Sequence, residues 1–148
     1  MGQPLITTGL VLVNCLPLFG DLGYLQVILN KLARLITFSP FDTSRNVLYD
    51  LLEWMTVKQL IFYHTTLAVY RIRESGEPSE IATLFKRENR NLNVITPQSN
   101  MELYGKAFIY RAIQSWNSVP KEIRSLKTLM SFKKNLKTWV MREVERFP

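Results

Sequence analysis

The chain has 148 residues, of which 47% are hydrophobic, 11% aromatic and 21% charged. That length lets one domain bury most of its apolar surface, and the aromatic content excludes a solvated, disordered segment. The net charge of +7 is uneven: residues 1–60 sum to zero, while residues 121–148 carry eight Lys or Arg against three Glu. The single cysteine, Cys15, excludes an internal disulfide and a Cys-x-x-Cys metal site, and fits a reducing intracellular compartment, cytoplasmic or nuclear.

Residues 3–20 carry no charge. Met1-Gly2-Gln3-Pro4 lacks the basic start of a signal peptide, and Pro4, Thr7, Thr8, Asn14 and Pro17 argue against a membrane-spanning helix. Thr7 to Val13 suits a buried strand or a short buried helix equally. Gly20, Asp21 and Gly23 make a turn. From Leu22 to Thr37 the apolar positions Leu25, Ile28, Leu29, Leu32, Leu35 and Ile36 recur at three and four, which predicts a helix with Lys31 and Arg34 outward. Ser39-Pro40 stops it.

Asp42 or Thr43 is expected to cap a second, short helix through Val47, Leu48, Leu51 and Leu52, and Thr56 a third. The third is the longest. Its stripe of Val57, Leu60, Ile61, His64, Leu67, Ala68 and Ile72, widened by Phe62, Tyr63 and Tyr70, puts it at the centre of the core. Gly76 and Pro78 end it. His64 reads as a core histidine, because no second His and no acid nearby in sequence supports a catalytic base.

Ser79 is expected to cap a short helix to Arg87. Asn89 to Pro97 is poor in helix formers, which predicts a short β segment or hairpin near 91–104, with a strand over Leu92 to Thr96. Tyr104 to Trp116 returns to helical spacing, and Trp116, Asn117 and Pro120 form a structural motif in which Trp116 anchors the core and Asn117 caps the turn that Pro120 fixes. In the final helix, Thr128 to Val144, the residues Leu129, Phe132, Leu136, Trp139 and Val140 share one arc, with Lys133, Lys134 and Lys137 on the next. The expectation is a mainly α fold, a compact helical domain of five to six helices spanning 1–148 with no linker to divide it.

Chemistry is sparse. There are three aspartates, Asp21, Asp42 and Asp50, and no Asp-Asp pair to hold the two metal ions of a polymerase. One His and one Cys far apart give no nucleophile and base, and Gly-rich phosphate loops and zinc spacings are missing from the sequence. The chain therefore reads as a non-enzyme without metal or cofactor. What remains is the basic segment, where Arg124, Lys127, Lys133, Lys134 and Lys137 are candidates to contact RNA or DNA phosphates; a solvated helix face is the other reading of the same charges.

In order, the motifs are Ile6-Thr7-Thr8-Gly9-Leu10, Leu25-Gln26 with Asn30-Lys31 and Arg34-Leu35-Ile36, Leu52-Glu53-Trp54, Tyr70-Arg71-Ile72, and Gly76-Glu77-Pro78 with Ile81 to Phe85. Gly105-Lys106-Ala107-Phe108, Trp116-Asn117-Ser118-Val119-Pro120 and Phe132-Lys133-Lys134-Asn135-Leu136 follow. This succession resembles the C-terminal, post-palm and thumb-like region of reverse transcriptases from non-LTR (LINE-like) retrotransposons, over roughly residues 4 to 140. The first segment departs from the family pattern, reading Val13-Asn14-Cys15 where an aromatic Trp-Gly pair is usual. The resemblance implies a truncated, non-catalytic piece of an RNA-directed DNA polymerase, with residues 1–22 a loosely packed remnant and 23–148 the helical core. It also implies weak binding of RNA or DNA through the basic C-terminal helix. The alternative is a small helical protein-interaction or structural domain without a nucleic-acid role.

Overall fold

The computed structural model describes residues 22–97 and 103–146. It is mainly helical, with seven helices among the described residues: α1 (Leu22–Thr37), α2 (Arg45–Leu52), α3 (Val57–Ser75), α4 (Ser79–Lys86), α5 (Leu103–Ser118), α6 (Lys121–Arg124) and α7 (Leu129–Glu143). Six coincide with helices expected from apolar spacing, and the seventh, α6, is a single turn launched from Pro120. The expected features at Thr7 to Val13 and Cys15, and the loosely packed remnant at 1–22 apart from Leu22, lie outside the described residues.

The fold is built around α3. Its first turn is closed by a capping box: Thr56 Oγ1 accepts from the Gln59 amide at 3.3 Å, and Gln59 Oε1 accepts from the Thr56 amide at 3.1 Å. Two of the orphan donors at a helix start are thereby satisfied. Its last turn ends at Gly76, whose φ of +76° a side chain would strain and whose N–H donates to the Ile72 carbonyl at 2.9 Å. Between the caps, the buried residues Val57, Gln59, Leu60, Thr65, Thr66, Leu67, Val69 and Tyr70 are spread around the whole helix axis. The helix therefore packs against α1, α4, α5 and α7 rather than presenting one apolar stripe.

Gln59, fully buried, also donates through Nε2 to the carbonyls of Val144 at 2.9 Å and Val140 at 3.4 Å. One side chain thus ties the start of α3 to the end of α7. At the other end of α3, the Tyr70 ring stacks on Phe132 with centroids 4.1 Å apart, and Phe132 in turn meets Trp116 at 5.9 Å. Phe132, Leu136 and Val140 recur at four-residue spacing and are all fully buried, each contributing roughly 1.5–3 kcal/mol on burial. Thr128 caps α7, accepting from the Ser131 amide at 3.3 Å.

Four local expectations are corrected. The N-cap of α2 is Ser44, not Asp42 or Thr43, and makes no side-chain cap; that of α4 is Pro78, with Ser79 already inside the helix. Position 92 is left-handed (φ +58°) and its amide turns back to the Asn89 carbonyl at 3.0 Å, a geometry no strand accepts, so the β segment near 91–104 shrinks to one antiparallel bridge between Glu88 and Val94. Finally, α1 does not bury its expected stripe. Its buried residues are Leu29, Asn30 and Ala33, while Ile28, Leu32, Leu35 and Ile36 are exposed.

The reason is a polar knot that sets the rotation of α1. Gln26 Nε2 donates to Asn30 Oδ1 at 2.9 Å and to Tyr49 Oη at 2.7 Å, and Tyr49 Oη donates to Asn30 Oδ1 at 3.0 Å. Gln26 Oε1 accepts from the Val57 amide at 2.9 Å, so α1 also serves a free donor in the first turn of α3. Burial pushes the Tyr49 hydroxyl up to about 12, against the opposing hydrogen bond from Gln26 and the charge of Arg45, so the phenol stays a neutral donor.

Candidate nucleic-acid interface

The basic residues of α7 sit one step around the helix from its buried arc. Lys133 and Lys137 directly follow Phe132 and Leu136 and are half-buried; Lys134 is exposed. Lys127 is exposed in the turn before α7. That turn is held down because Tyr70 Oη donates to the Leu126 carbonyl at 3.0 Å. Lys127 thereby borders an open groove of about 360 Å³ whose other walls include Tyr70, Arg71, Glu74 and Leu129.

Arg71 is the residue that sequence reasoning missed. It lies two helical turns beyond His64 on α3, hence on the same face, and both its charge and that of Lys133 act on the imidazole. His64 is half-buried, packed edge-on against Tyr63 at 4.9 Å. Burial first, then Arg71 and Lys133, pull its pKa down to about 4, so it is neutral at physiological pH. Arg71 also lines the groove that Lys127 borders, so α3 contributes a cation beside the turn that leads into α7. The spacing of seven residues from His64 to Arg71 was the available signal; only the packing of α3 on α7 gives it meaning.

Arg124 is placed differently from the lysines. Its guanidinium donates to the Leu92 carbonyl and, at 3.0 Å, to Asn93 Oδ1, and it is half-buried. Burial lowers its pKa from the ordinary arginine value, with Glu88 opposing, so much of its hydrogen-bonding capacity is committed to holding the 89–94 loop. Arg73 is likewise structural: it pairs with Glu88 at 2.6 Å, donates to the Phe85 carbonyl and lies 5.1 Å over the Trp116 ring.

Trp116, Asn117 and Pro120 behave as a structural unit. Trp116 is only 2% exposed and so is closed to stacking on a base. Asn117 reaches across to the loop, accepting from the Val94 amide at 2.8 Å and donating to the Val94 carbonyl at 3.0 Å. Its amide takes the place of a neighbouring strand, which is a different task from capping a turn. Pro120 is the N-cap of α6, its carbonyl accepting from Ile123 and Arg124 at 3.1 Å each. Trp139 is half-buried against Phe62, 5.7 Å away.

A second groove, of about 340 Å³, runs between α3 and α5, floored by Ile61 and Phe62 and bordered by Lys58 and Arg111. Among the described residues no group of three or more His, Cys, Asp or Glu could hold a metal ion, and no helix is long and apolar enough to cross a membrane. The arrangement at α3 and α7 can hold phosphate groups by charge and hydrogen bonding. No family model, no curated protein and no solved structure matches the chain.

Proposed function

We propose that this chain is a non-catalytic helical domain descended from a non-LTR retrotransposon reverse transcriptase, and that it binds RNA or DNA weakly through the face shared by α3 and α7. The observation that carries the binding reading is the groove bordered jointly by Arg71 of α3 and Lys127, with Lys133, Lys134 and Lys137 on the helix that follows and the charges of Arg71 and Lys133 both acting on His64. The ordered motifs support the descent. Contacts of this kind fix backbone phosphates and carry little sequence information.

Titration against single-stranded RNA tests the proposal. If Arg71, Lys127, Lys133, Lys134 and Lys137 each neutralise one phosphate, log K falls with log salt at a slope of about −3.5, roughly a hundredfold loss between 50 and 200 mM. Changing Lys133, Lys134 and Lys137 to Glu is expected to abolish binding while the helical circular dichroism is retained. No detectable affinity of the native chain at low salt refutes it. The second reading, a protein-interaction domain with a solvated basic face, is favoured by the exposed apolar side of α1 and predicts partner capture indifferent to the triple change.

A further inference from the structure

Of the fifteen large hydrophobic residues exposed among the described residues, eleven fall between Leu22 and Leu51. On α1 they are ordered. Tyr24, Ile28, Leu32 and Leu35 follow one another at spacings of four, four and three, a continuous stripe along one side of the helix, and Ile36 borders it. Val47 and Leu51 repeat the four-residue spacing on the exposed side of α2, and Phe38 and Phe41 stand at 92% and 89% exposure in the connection between the two helices. The rotation of α1 that produces this is fixed by the Gln26, Asn30 and Tyr49 hydrogen bonds, so the stripe cannot turn inward without orphaning the Val57 amide.

We propose that this face is the contact between two copies of the chain, forming a twofold dimer in which the α1 stripe of one meets the α1 stripe of the other. Two properties point to a second copy. The first is charge: residues 22–53 hold Lys31, Arg34 and Arg45 against Asp42, Asp50 and Glu53, a sum of zero, while the chain as a whole carries +7. Like-charged copies repel through the basic half and can approach through the neutral one. The second is area. At ~150–250 Å² per aromatic side chain, the exposed parts of Tyr24, Phe38 and Phe41 offer on the order of 400 Å², and the aliphatic residues of the stripe add a comparable amount. The total reaches the ~800 Å² that each partner brings to a standard interface, and exceeds what a monomer commonly leaves in water. A regular stripe is self-complementary under a twofold axis, as an isologous contact requires.

The dimer rests on the apolar face of α1 and its connection to α2, and stands whether or not the basic face binds nucleic acid. Sedimentation velocity on the full chain over a range of micromolar concentrations tests it. The native chain is expected to sediment at twice its 17.3 kDa mass. Leu35→Glu, at a site 69% exposed and so harmless to folding, is expected to weaken association at least tenfold with unchanged circular dichroism. Tyr24→Lys serves as an independent second variant. The Lys133, Lys134 and Lys137 to Glu variant, read in the same experiment, is expected to remain dimeric. A native chain that stays monomeric throughout overturns the proposal, whether the stripe is then found covered by residues 3–20 or bound to lipid vesicles. So does a dimer indifferent to both α1 substitutions.

Discussion

The chain contains one histidine, which makes the convergence of charge on His64 directly measurable. In a proton NMR titration its imidazole is expected to titrate near 4, well below the ordinary 6.5. Burial is the first cause, so removing one cation restores only part of the shift: Arg71→Gln or Lys133→Gln should each raise the pKa while leaving it below 6.5. The sign for stability follows. Because the folded pKa lies below the unfolded one, the unfolded chain binds more protons between about pH 4 and 6.5, and stability is lost as pH falls through that window. A fully buried group shifted this far would contribute about 3 kcal/mol; the imidazole is half in water, which screens the effect to about 1–2 kcal/mol. Urea unfolding at pH 7 and pH 4.5 reads it. A bound polyanion neutralises Arg71 and Lys133, so RNA should move the His64 titration midpoint upward, toward 6.5, and bind more tightly at pH 5.5 than at pH 7.5. An imidazole that titrates at 6.5 in the native chain, or is indifferent to both substitutions, would refute the shared surface.

Two further predictions concern the supports of that surface. Gln59→Leu leaves the buried Thr56 amide without its acceptor and the Val144 carbonyl without a donor; it should destabilise the fold by about 3 kcal/mol in urea titration, whereas Thr56→Ser, which keeps the cap, should stay within about 0.5 kcal/mol. Asn117→Ala removes both hydrogen bonds to buried Val94, a loss of about 2–4 kcal/mol, and hydrogen exchange should quicken at residues 88–97 while α3 and α7 remain protected.

What the sequence revealed and what it concealed separate along a physical line. Thr56 was legible as a cap because capping is settled within four residues, and α3 was legible as central because apolar side chains crowd every side of it. The orientation of α1 was not. Apolar residues occupy more than half of its circumference, and spacing alone cannot tell which arc faces inward when the decision belongs to two polar residues, Gln26 and Asn30, and a tyrosine 19 residues beyond Asn30. The 91–96 segment failed for a related reason. A lack of helix formers signalled a strand, but the partner that satisfies the Val94 backbone is one side-chain amide 23 residues away. In the site, the lysines of α7 were legible as a basic face; Arg71 became part of it, and Arg124 was drawn into the loop, only through tertiary packing.

The reach of Gln59 bears on how the chain is made. Its partners, in the last turn of α7 and at the residue that caps it, lie 81 and 85 residues downstream, so during synthesis a polar group destined for the core waits for acceptors that have not yet left the ribosome. Until they emerge, water must stay at the base of α3, and the central helix cannot be sealed. The nascent chain is therefore expected to remain protease-sensitive around residue 59 until α7 is released, and then to close in a single late step.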